Sequence, residues 1–135
     1  MTITNPAAPG RADALILFAH GARDAQWAAP MQAVAAAIGA LQPAWRVRLA
    51  CLDFIAPDLA QAAAGLVAEG ARRVHVVPMF LGAGGHVRQD LPRRLEALRA
   101  AHPEAEFTLH PTIGEIDAIR QAMALAIVAI VEGAR

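Results

Sequence analysis

The run from Asp13 to His20 (DALILFAH) is apolar without alternation and stops before Gly21, which predicts a strand buried on both faces. The period then changes. Trp27, Met31, Val34, Ile38 and Leu41 recur at three- and four-residue spacing, so residues from about Asp24 to Leu41 predict a helix with one apolar stripe, ended by Pro43. Trp45 to Asp53 alternates as a strand does, and Pro57 sits where a first helical turn tolerates it, opening a helix from about Pro57 to Glu69 that stops at Gly70. Arg73 to Phe80 predicts a third strand, with Pro78 near its end because proline lacks the ladder donor. A glycine-rich loop follows. Val87 to Ala101 reads as a helix with Leu91, Leu95 and Leu98 inward and Arg93, Arg94 and Arg99 outward, Phe107 to His110 as a short strand, and Glu115 to Glu132 as a closing helix. Alternating strands and helices of this length imply right-handed crossovers. The expected fold is α/β: a flavodoxin-like three-layer sandwich around a four-stranded parallel sheet.

Composition narrows the function. A chain of 135 residues holds one domain, expected over residues 12–135, behind a leader at residues 1–11 that carries Pro6, Pro9 and Gly10. With 56% hydrophobic and 18% charged residues the chain is too apolar to be disordered. Twelve basic residues balance twelve acidic ones, which gives no field to draw nucleic acid or an anionic membrane, so neither is expected as a partner. The longest apolar run, Ala122 to Val131, is well short of a membrane span. One cysteine, Cys51, excludes an internal disulfide or a thiolate metal cluster and fits a reducing cytoplasm; its place in a strand predicts a core position.

In an open parallel sheet the ligand site lies beyond the carboxyl ends of the strands. There the chain places His20, Gly21, Ala22, Arg23 and Asp24 after the first strand, Asp53 after the second, and Gly82, Gly84, Gly85 and His86 after the third. Two imidazoles, His20 and His86, and the Asp53 carboxylate suit a divalent first-row metal, and three such ligands leave positions open for a substrate. Each histidine is followed four residues on by an aspartate, Asp24 or Asp90. Either carboxylate could fix the ring tautomer of its histidine, or simply complement a helix N-terminus. The glycines fit neither a dinucleotide fingerprint nor a P-loop, and instead permit close approach of a flat molecule to the backbone. His75 reads as a hydrogen-bonded strand residue and His102 as a helix C-terminal partner, while His110 ends the fourth strand and could reach the same edge.

Taken together, His20-Gly21, Leu52-Asp53 with Pro57, Gly70-Ala71 and the block Pro78-Met79-Phe80-Leu81-Gly82, Gly85-His86-Val87, Asp90-Leu91-Pro92 resemble the small sirohydrochlorin chelatases, the short CbiX-type proteins of the class II chelatase family. The resemblance covers Leu15 to Gly114. It implies a lyase that inserts cobalt or iron, with nickel a further candidate, into the tetrapyrrole sirohydrochlorin for cobalamin or siroheme synthesis, without an organic cofactor. His20 and His86 would hold the metal and assist pyrrole deprotonation, with Arg23 and Arg88 either clamping substrate carboxylates or lying as solvated surface residues. Where the family usually reads His-Gly-Ser this chain has Ala22, and Asp53 stands where a glutamate is common.

The residue types also admit a hydrolase using a metal-bound water, or a carrier of tetrapyrrole or metal. The resemblance is to one half of longer chelatases in which two such domains face each other, which implies a homodimer. The closing helix agrees: Ile116, Ile119, Met123, Ile127 and Ile130 form one stripe, yet Leu125, Val128 and Val131 lie off it, so its second half is apolar nearly all round.

Overall fold

The computed structural model describes residues 13–53, 55–82 and 84–134, with the backbone alone at His86; the expected leader lies outside the described residues. Four strands form one parallel sheet: β1 (Asp13–Ala19), β2 (Arg46–Cys51), β3 (Arg73–Pro78) and β4 (Glu106–Leu109). Their order is β2-β1-β3-β4, so β1 is central and the sequence switches direction across it. The helices are α1 (Ala29–Leu41), α2 (Leu59–Ala68), α3 (Gly85–Ala101) and α4 (Asp117–Gly133).

One face of the sheet carries the main core. Ala14, Ile16 and Phe18 of β1 and Val74 and Val76 of β3 point there and meet Leu59, Ala63 and Leu66 of α2 and Leu91, Leu95 and Leu98 of α3. Each Val, Leu, Ile or Phe side chain so buried stabilises the fold by ~1.5–3 kcal/mol. Helix α2 starts cleanly, because the Asp58 carboxylate accepts from the Gln61 amide at 2.8 Å while the Gln61 side chain accepts from the Asp58 amide at 2.9 Å. Cys51 is buried, as its strand position predicts.

The opposite face is covered less completely. The single helix expected from Asp24 to Leu41 is two pieces: a 3-10 turn, Ala25–Ala28, and then α1 from Ala29. Pro30 explains the break, since proline is at home in the first turn of a helix but not inside one. Helix α1 has no fully buried residue, and Val34 and Leu41 of its predicted stripe are exposed. Helix α4 also has no buried residue and, among the described residues, meets the others chiefly through a 3-10 turn at Ile113–Glu115. No helix among the described residues is long and apolar enough to cross a membrane.

Candidate functional site

The loops after β1, β2 and β3 are tied together by backbone hydrogen bonds that extend the sheet past its last ladder rungs. The Leu52 amide donates to the Ala19 carbonyl at 2.8 Å, the Asp53 amide to the His20 carbonyl at 3.0 Å, and the Met79 amide to the Phe18 carbonyl at 2.7 Å. Gly21 is required at this point. Its φ is +84°, and a Cβ there would lie 2.0 Å from the Asp53 carbonyl oxygen.

His20 is the first residue beyond β1, and its side chain is exposed at the carboxyl edge. The imidazole rests against Phe80, with ring centroids 4.4 Å apart and planes tilted by 50°. Phe80 is itself buried and meets Phe18 edge-on at 6.0 Å, so the histidine stands on a fixed aromatic support. In front of it opens a cleft of about 470 Å³ lined by His20, Trp27, Met31, Met79, Phe80 and Gly82, among others. Apart from His20, these side chains are apolar. Such a cleft suits the face of a flat, largely hydrophobic ring beside one nitrogen ligand or base.

Asp53 lines a second, smaller cleft of about 330 Å³ with Leu52, Val87, Asp90, Leu91 and Arg94. Its carboxylate is exposed, and across the cleft Arg94 Nε donates to Asp90 Oδ2 at 2.6 Å, one helical turn apart. The two acidic residues therefore share a pocket with one arginine. Arg94, expected to face outward, is half-buried against this cleft instead.

The remaining predicted residues divide. Gly84 is the N-cap of α3, and Gly85 and His86 form its first turn rather than the end of the preceding loop, so the helix begins two residues earlier than expected. The glycines at 82, 84 and 85 have open space where a Cβ would stand. Asp24 accepts from the Gln26 amide at 2.9 Å and caps the 3-10 turn, which is the helix-terminus alternative for this carboxylate. Arg23 is exposed in the loop after β1. Arg88 donates to Glu115 at 2.9 Å, an exposed ion pair joining α3 to the turn before α4. Among the described residues no group of three or more His, Cys, Asp or Glu side chains is placed to hold a metal, and the expected set includes His86, described by its backbone alone.

The His110 ring turns to His75. Its Nε2 lies 3.0 Å from His75 Nδ1 across β3 and β4, and the rings stack at 5.2 Å. One of the two ring nitrogens donates and the other accepts. His75 Nε2 is 3.6 Å from Asp13 Oδ1, and Arg73 is 3.0 Å from the same oxygen. His102 ends α3 as its C-cap, as expected. Burial pushes the Cys51 thiol above its ordinary range.

What the sequence reading missed here is the wall made by Trp27 and Met31. The signal was present: Pro30 inside the supposed helix marks a change of direction that turns Trp27 toward the strand ends.

The chain is 34% identical over 74 residues to a sirohydrochlorin cobaltochelatase of Saccharolobus solfataricus, a match covering 50% of this chain and 58% of the relative. It is 31% identical over 83 residues to a sirohydrochlorin cobaltochelatase of Methanococcus aeolicus, covering 62% of this chain and 58% of that one. The chain thus spans less than two thirds of the length of these curated relatives. Among solved structures, a cobalamin (vitamin B12) biosynthesis CbiX protein from Marinobacter aquaeolei superposes with a TM-score of 0.79 at 28% identity, covering 89% of this chain and 98% of that one. The sirohydrochlorin chelatase SirB from Bacillus subtilis subspecies spizizenii, in complex with cobalt, gives a TM-score of 0.73 at 20% identity over 87% of this chain and 50% of that one, a likeness of fold. Residues 14–128 match the CbiX family model, nearly the whole described chain, and the chain belongs to the CbiX family.

Proposed function

We propose that this protein inserts a divalent metal, cobalt or iron, into sirohydrochlorin, acting as a cobaltochelatase or ferrochelatase. The observation that carries this reading is the exposed His20 imidazole, supported by Phe80, at the mouth of an apolar cleft in a CbiX-family chain. The relatives named as sirohydrochlorin cobaltochelatases and the SirB structure with cobalt support the substrate pair.

The proposed chemistry exchanges one divalent cation for two pyrrole N–H protons. The macrocycle lies with one face against Trp27, Met31 and Phe80, and its charged periphery faces solvent and Arg23. His20 and His86 hold the incoming cation, which is a substrate, and accept protons as the nitrogens bind it; the charge of the metal makes those protons easier to lose. Asp53 supplies a third ligand or relays a proton to water. Asp90, paired to Arg94 in the same pocket, sets the field in which Asp53 works. The glycines at 82, 84 and 85 let the ring approach the backbone. Arg88 acts on the substrate only by exchanging Glu115 for a substrate carboxylate.

The reading extends to the setting. The free, buried Cys51 fits a reducing cytoplasm. The working form is a homodimer, because a tetrapyrrole is wide relative to a 14.2 kDa chain and α4 leaves a large apolar surface uncovered.

The test is an anaerobic assay of sirohydrochlorin with Co²⁺, Fe²⁺ or Ni²⁺, followed by the loss of the free-base spectrum. Metal-dependent turnover with cobalt or iron is the expected result. Tight tetrapyrrole binding without turnover would assign a carrier, and ester hydrolysis on metal addition would assign a hydrolase.

A further inference from the structure

The backbone sets His75 and His110 side by side on one face of the sheet. In the β3–β4 register His75 stands opposite Thr108, so His110, two residues further on, falls diagonally across from it on the same face. The His110 amide donates to the Val76 carbonyl at 2.9 Å, which holds that register beyond the end of β4. The ring planes are tilted by 29°, and the centroid separation of 5.2 Å is close to the largest that a 3.0 Å contact between ring nitrogens allows. His75 Nδ1 and His110 Nε2 therefore point at each other. Behind His75, Asp13 Oδ1 is 3.6 Å from Nε2, and Arg73 is 3.0 Å from the same oxygen. Both histidines are half-buried and border a groove of about 410 Å³ whose other walls include Leu15, Trp45, Val77 and Ile113. This groove shares no lining residue with the cleft at His20.

The geometry points to a second cation site, in which His75 Nδ1 and His110 Nε2 together ligate one first-row divalent cation, Zn²⁺, Co²⁺ or Ni²⁺, and water from the groove fills the remaining positions. The inference does not depend on the chelatase reading. Two imidazole nitrogens on a tetrahedral ion, each about 2.0–2.1 Å from it, stand roughly 3.3 Å apart, so the pair needs to open by only a few tenths of an ångström. The Asp13 carboxylate favours the proton on Nε2 of His75, which leaves the Nδ1 lone pair directed at His110. A carboxylate behind a ligating imidazole also raises its basicity toward a metal. Arg73 holds Asp13 in that outer position. Without the ion, His110 Nε2–H donates to His75 Nδ1. Binding moves that proton to Nδ1 of His110, so both rings stay neutral, no net proton is released, and one hydrogen bond is exchanged for two coordinate bonds. With two protein ligands and open water positions, the ion remains exchangeable with solvent.

The experiment uses the full-length chain carrying His20→Ala, which removes the imidazole of the other cleft. Zn²⁺ is titrated in while the histidine ring nitrogens are followed by NMR. His75 Nδ1 and His110 Nε2 are expected to move together to metal-bound shifts, with the proton of His110 found on Nδ1. This measurement needs no change at either ligand and so does not depend on how a variant folds. His75→Gln and His110→Gln, each added to the same chain and checked by circular dichroism, should weaken Zn²⁺ binding at the remaining ring by about tenfold or more, read from the same titration. Ring nitrogens of His75 and His110 that stay unmoved at saturating Zn²⁺ overturn the site. So does an unchanged titration of the remaining ring in either variant.

Discussion

The main-chain amide of Asp53 donates to the main-chain carbonyl of His20 at 3.0 Å, which fixes the residues that follow two adjacent strands in one register. The link depends on the left-handed backbone of Gly21, over which the Asp53 carbonyl lies too close for any side chain. Gly21→Ala should therefore cost on the order of 3 kcal/mol by denaturant unfolding and should reduce turnover as well, because the strain falls on the hydrogen-bonded pair. A variant of unchanged midpoint would contradict the close approach.

Gly114 is the same device at the other end of the site. A Cβ there would lie 1.7 Å from the Leu81 carbonyl oxygen, so Gly114→Ala must displace the turn under the third site loop. The expected signature is a lowered melting temperature together with weaker tetrapyrrole binding, read by calorimetry and by absorbance titration.

Gly85 makes the opposite case. It occupies the first turn of α3 with nothing near its missing Cβ, so Gly85→Ala should stabilise the fold by about 0.4–1 kcal/mol through the unfolded chain. If a macrocycle lies against this backbone, the same variant binds it more weakly. Stability up and affinity down is the predicted pairing; unaltered affinity would remove the glycines from the binding surface.

His20→Ala and His86→Ala should each lower metal insertion by roughly 100-fold or more while leaving circular dichroism unchanged, since the roles assigned to them are ligand and base. For His20 the fold has little to lose, because the ring is exposed beside Phe80. Full turnover in either variant would end its assignment.

Cys51 supplies a prediction in pH. Burial raises its pKa, so the native thiol stays protonated where the unfolded one ionises. The stability this contributes is complete below the unfolded thiol's pKa, ~8.5, and is lost as pH rises through the folded value. Native protein at pH 8 should resist thiol reagents that label the denatured chain rapidly, and denaturation midpoints should fall above pH 9; equal labelling rates would contradict the burial.

The sheet was readable because strands buried on both faces appear as uninterrupted apolar runs, as in Ala14 to Ala19, and because strand ends in such a sheet mark the ligand edge. That rule puts His20 and Asp53 at the carboxyl edge, and both lie there. Other features depend on facts that periodicity does not carry. Trp27 and Met31 have helical spacing, yet Pro30 divides the segment and gives them to a cleft rather than a core. Arg94 looks like a surface charge until Asp90, four residues before it, is seen to hold it across the Asp53 pocket. The pairing of His75 with His110 needs the β3–β4 register, in which His75 stands opposite Thr108, and register is a tertiary quantity. The stripe on α4 was plain, but a stripe says that a helix is covered and not by whom.

Thr112 gives the segment before α4 a second meaning. Its hydroxyl lies 3.2 Å from the Pro78 carbonyl and 2.9 Å from that of Phe80, which also accepts the Gly114 amide at 3.0 Å. The root of the loop that carries Gly82 and the hinge from which α4 departs are thus one buttressed piece of backbone. Any rearrangement of that hinge must be felt at Phe80, and through Phe80 at His20. Linkage then runs both ways: whatever factor a contact on α4 adds to the affinity for a ligand beside His20, that ligand must add to the affinity of the contact.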